Sequence, residues 1–142
     1  MSIISTAELT RHAEVALTER TFEAILLNRS IRYSADTSYA TFVADEVNTN
    51  AGGYSRIEFS FTSSDIVPTS TGASTASKYL TWFHNGNQNP INFDHILVVE
   101  RTFAQPLPIY TVVSVYDLGF AYSLRLYGER ARFSLRFNIK NK

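Results

Sequence analysis

In two stretches of the chain apolar positions recur every second residue. Ile57, Phe59 and Phe61 alternate with Glu58 and Ser60, the pattern of a strand with one wet face. The same alternation closes the chain, with Phe133, Leu135, Phe137 and Ile139 on one side and Arg132, Ser134, Arg136, Asn138 and Lys140 on the other. The apolar run 21–27 reads as a further strand, with a continued helix as its alternative, and strand signals return at 78–84, 93–99, 109–116 and 120–127. Asn85-Gly86 predicts a hairpin turn between the strands that flank it. The pattern thus predicts a mainly β chain, an antiparallel β-sandwich or jelly-roll-like domain of about seven strands.

Two helical segments interrupt this reading. Ser5 and Glu8 have capping-box spacing, and Leu9, Ala13, Ala16 and Leu17 then follow at helical intervals, predicting a short amphipathic helix over 6–19. Residues 1–19 are accordingly read as an N-terminal helical arm and 20–142 as the β-sandwich domain. The apolar stripe of the arm is narrow, which suits loose packing or contact with a second subunit, so a homo-oligomer is expected. Asp36-Thr37-Ser38 is placed to cap one turn of helix over 39–43. Between 62 and 77 nine of sixteen residues are Ser or Thr, and this segment is expected to be a long loop.

Composition narrows the chemistry. Cysteine is absent, which excludes disulfides and Cys-based zinc sites. No stretch approaches the roughly 20 apolar residues of a spanning helix, and the start of the chain lacks the features of a secretory leader, so a soluble protein with no membrane contact is expected. The formal charge is zero, but beyond Leu118 stand six basic groups and Glu129 alone, while the first 117 residues hold seven basic and twelve acidic groups. Opposed halves favour contact between complementary surfaces over dedicated nucleic-acid binding. Arg132, Arg136 and Lys140, on the outward face of the last predicted strand, are the candidate partner interface together with Leu9, Ala13, Ala16 and Leu17. A solvated, edge-protecting strand is the plainer account of the same row.

Catalytic patterns are missing. His84 and His95 flank the Asn-rich turn near Asp94, and a metal pair or general base is weighed there against structural roles, a turn-capping His84 and a hydrogen-bonded His95. The structural roles are expected, with His95 on the face of Phe93, Leu97 and Val99. Asp45-Glu46, the adjacent carboxylate pair, is read as a surface pair, and no nucleophile elbow or phosphate-binding glycine loop occurs. No enzyme activity, cofactor or metal is therefore expected. Tyr79 and Trp82 form a candidate stacking surface under an alternative reading, a carbohydrate-binding module.

Tyr39-Ala40-Thr41-Phe42-Val43-Ala44-Asp45-Glu46-Val47 leading into Gly52-Gly53-Tyr54-Ser55-Arg56, the Phe83-His84-Asn85-Gly86 turn with 91–99, and the closing alternating strand together resemble small virion proteins of tailed bacteriophages, particularly phages of cyanobacteria. The resemblance implies a β-sandwich made in the host cytoplasm and located on the virion. There it would be a capsid cement or decoration protein, or a tail or fibre component, binding other virion proteins without a cofactor. It carries over no functional residue.

Overall fold

The computed structural model describes residues 2–4, 19–29, 37–69, 72–103 and 106–140. The strands are β1 (Ser2–Ile4), β2 (Thr21–Leu27), β3 (Ile57–Phe59), β4 (Ile66–Thr69), β5 (Gly72–Thr75), β6 (Lys78–Phe83), β7 (Ile91–Thr102), β8 (Ile109–Leu124), β9 (Arg130–Leu135) and β10 (Asn138–Lys140), with helix α1 (Tyr39–Val43) and a 3-10 turn at Ser63–Asp65. The chain is mainly β, and among the described residues every strand pairing is antiparallel. One sheet has the order β1-β8-β7-β2-β3, a second β10-β5-β4, and β6 and β9 form a two-stranded ribbon. Of the expected N-terminal arm over 1–19, residues 2–4 are strand β1, paired with β8, while Leu9, Ala13, Ala16 and Leu17 of its expected helix lie outside the described residues.

β2 is a strand, and it fails to alternate because both of its faces are covered. Phe22, Ala24 and Leu26 join Ile96 and Val98 in one core cluster, which Leu80 and Trp82 of β6 and Ala131 and Leu135 of β9 complete. Ile25 and Leu27 join Leu97, Val99 and Val115 in a second cluster, which Phe42 of α1 caps. Tertiary burial, and not local propensity, makes this a near-continuous apolar run. Ser38 caps α1 as expected, its Oγ accepting from the Thr41 N–H at 3.3 Å.

Three expectations need correction. Asn85-Gly86 closes no hairpin, because β6 pairs with β9 whereas β7 pairs with β2 and β8. The turn carries the chain from one sheet to another, and its amides bond across to a different loop. The Ser/Thr-rich segment holds the β4–β5 hairpin, Ile66 pairing with Thr75 and Thr69 with Gly72, since Thr and Val suit strands even where Ser dominates the composition. Phe93 does not share a face with Leu97 and Val99, because the β7–β8 register shifts between Phe93 and His95 and leaves Phe93 in the cluster of Ile96 and Val98.

The closing strand is bent. Lys78 pairs with Leu135 but Ser74 with Asn138, four residues on one side against three on the other. At the step the Thr75 N–H donates to the Phe137 carbonyl at 3.0 Å and the Phe137 N–H donates to the Thr75 Oγ1 at 2.9 Å. Phe137 is thereby turned into the core, against Phe22 and Phe61.

Candidate functional site

Alternation along β6 and β9 divides the ribbon into an inner and an outer face. Leu80, Trp82, Ala131 and Leu135 point inward, whereas Tyr79, Phe83, Arg130, Arg132 and Ser134 are exposed. The register sets Tyr79 opposite Ser134, Thr81 opposite Arg132 and Phe83 opposite Arg130. The Arg132 guanidinium lies 4.2 Å from the Tyr79 ring centroid, a diagonal contact that holds a flexible side chain over an aromatic plane. Arg136 is exposed just beyond β9. Of the expected basic row, Arg132 and Arg136 stand clear of the core, and Lys140 belongs to β10, on the other side of the bend.

No ion pair engages Arg130, Arg132 or Arg136 among the described residues. Elsewhere most of the described charges are matched. Arg56 holds Glu46 through two bonds of 2.8 and 2.9 Å and reaches Glu23, which Arg101 also holds at 2.7 Å while contacting Glu58. Lys78 pairs with Asp65, Arg20 with Glu100 and Arg29 with Asp45. Glu129, the acidic residue next to β9, accepts the N–H groups of Arg125 and Leu126, both at 2.7 Å, and these bonds hold its carboxyl below the usual range.

The expected stacking pair does not form one surface. Tyr79 is 62% exposed and Trp82 4%, on opposite faces of the ribbon, and Trp82 Nε1 donates to the Ser55 carbonyl at 3.0 Å. An odd separation along a strand without a bulge divides two side chains in this way. Phe83, four residues from Tyr79 and 58% exposed, is the aromatic that shares its face, and parity alone identifies it.

His84 is buried. The Gly86 N–H donates to its Nδ1 at 2.9 Å, so Nε2 carries the proton and donates to the Asn89 carbonyl at 2.9 Å. Both nitrogens are committed to shaping the turn. His95 Nδ1 lies 2.7 Å from Asp94 Oδ1, and its Nε2 4.0 Å from Asp117 Oδ2. Glu46 is no idle surface carboxylate: besides Arg56 it accepts the Tyr54 hydroxyl at 2.7 Å. A spacing rule could not find that bond, since it depends on how the loop before β3 folds back. A polar cleft of about 310 Å³, lined by Asn28, Asp45, Asn48, Pro90 and Asn92 among others, opens beside it. Among the described residues no group of three or more His, Asp or Glu side chains is placed to hold a metal ion, and no helix is long and apolar enough to cross a membrane. Comparison with protein-family models, with curated proteins and with solved structures yields no match.

Proposed function

We propose that this chain is a structural binding protein, a subunit of a phage particle that docks on an acidic neighbouring subunit through the outer face of the β6–β9 ribbon. The observation that carries the reading is the charge pattern: three exposed arginines with no carboxylate partner among the described residues, on a molecule whose described acids are largely matched. Exposed arginine beside exposed aromatic side chains is the composition of a contact surface. The ribbon covers one face of the five-stranded sheet through a shared core, which supports a two-layer sandwich as the scaffold. The committed nitrogens of His84 support a binding role over a catalytic one. The virion setting rests on the sequence resemblance, and a capsid cement protein is the form we favour, with repetition across the shell supplying avidity.

The test is made on particles. The protein is expected in purified particles by mass spectrometry, to be released as salt is raised, and to be absent when Arg132→Glu and Arg136→Glu are combined in a chain whose circular dichroism is unchanged. Absence of the wild-type chain from particles, or normal incorporation of the double variant, would overturn the reading.

A further inference from the structure

We propose that the ribbon receives its partner as an added strand: an extended, acidic segment of another protein pairs with the free edge of β9, its carboxylates set beside Arg130, Arg132 and Arg136. This rests on the docking role above and specifies what docks.

The edge is defined by hydrogen bonding. Among the described residues β9 pairs with β6 alone. At the closed end of the ribbon the His84 N–H donates to the Glu129 carbonyl at 2.9 Å and the Gly128 N–H to the His84 carbonyl at 3.0 Å. His84 and Glu129 are thus a hydrogen-bonded pair, and antiparallel alternation makes Trp82/Ala131 and Leu80/Phe133 the next ones. The N–H and C=O groups of Arg130, Arg132 and Ser134 therefore turn away from β6. The side chains of these same residues are exposed on the outer face. A strand laid along this edge would bond to their backbones and place every second side chain about 5 Å from an arginine or from Ser134. Acidic residues at alternate positions repeat every 6.6–7 Å or so, the interval between Arg130 and Arg132.

The charge pattern selects the occupant. Arginines on an edge discourage neutral and basic strands and admit an acidic one. A second copy supplies no such strip from its described residues, because Glu23, Glu46, Glu58, Asp65 and Glu100 are already held by cations. A nucleic-acid strand would be drawn by the same arginines and by Tyr79 and Phe83, yet the carbonyls interleaved along the edge face phosphate oxygens unfavourably and peptide N–H groups favourably.

The experiment uses the full chain and a fluorescent peptide of alternating Glu and Val, read by anisotropy at low salt. Controls are the same peptide N-methylated on the edge that would face β9, which keeps its charge, and an oligothymidylate of equal charge. Ser134→Pro removes an edge N–H that the β6 ladder does not use, so the fold should survive. The parent peptide should bind. Either N-methylation or Ser134→Pro should weaken it at least about tenfold, and Arg132→Glu should abolish binding. Equal binding of parent and N-methylated peptide, with Ser134→Pro indifferent, would overturn strand addition while leaving the basic docking face intact. Tighter binding of the oligothymidylate, or self-association that the peptide does not displace, would overturn the assignment of the occupant. Absence of the wild-type chain from particles, or normal incorporation of the double variant, would remove the reading beneath it.

Discussion

Gly52 and Gly128 both adopt positive φ, +52° and +83°, but their surroundings differ. A Cβ on Gly52 would lie 2.5 Å from His84 Cδ2 and 2.7 Å from Ile91 Cγ1, whereas one on Gly128 meets nothing within 4 Å. Gly52→Ala should therefore cost about 3 kcal/mol, strain and overpacking together, lowering Tm by roughly 10 °C. Gly128→Ala should cost only about 1 kcal/mol, the conformational share. Thermal melts of the two variants check this, and equal losses would show that the crowding at Gly52 is relieved without cost. Tyr54 makes a second prediction. Burial, reinforced by its bond to Glu46, raises its phenol pKa far above the ordinary value. The unfolded chain can release this proton near pH 10 and the folded chain cannot, so the contribution is full below that pH and is lost as pH rises beyond it. Tyr54→Phe should flatten the fall of stability above pH 10, measured by denaturant titration, at the expense of the Leu26 and Glu46 contacts.

Elements show how far pattern reaches. Alternation at 57–61 and 130–135 is legible because one face of each strand meets water, so polarity records orientation residue by residue. β2 loses that record once both faces are covered. The Asn-Gly dipeptide misleads because its turn is fixed by distant partners: Asn85 N–H donates to the Gly52 carbonyl and the Asn87 side chain to Asn50 O, at 2.9 and 2.8 Å. Tyr79 and Arg132 could be placed on faces by parity, but their contact needs the β6–β9 register, which no local signal supplies. The Arg56 network is likewise a product of folding. Removing Arg56 leaves Glu46 and Glu23 partly buried with fewer partners, and Arg56→Ala should cost about 2–3 kcal/mol, short of the full penalty for a buried pair because the guanidinium side chain is 25% exposed. Arg56→Ala with Glu46→Gln should recover part of that loss in a double-mutant cycle. At the bend between β9 and β10, Thr75→Val keeps the shape but withdraws the acceptor of the Phe137 N–H. About 1–2 kcal/mol should be lost there, with slower unfolding restored by Thr75→Ser.

For the molecule as a whole, pairing among its charges decides what a distant surface feels. The chain is formally neutral, yet ion pairs within hydrogen-bonding distance largely cancel each other beyond a Debye length, about 8 Å at physiological salt. Among the described residues the arginines of the ribbon have no such cancellation. The outer face of the β6–β9 ribbon is therefore, among the described residues, a one-sided positive patch on a chain of zero net charge. Near pH 7 the protein should be retained by a cation-exchange resin despite its neutrality, and Arg130→Ser with Arg132→Ser should elute early. Such a one-sided field turns an approaching molecule before contact, so that collisions with an acidic surface begin with the correct side forward and the rate of productive encounter exceeds what random orientation would allow.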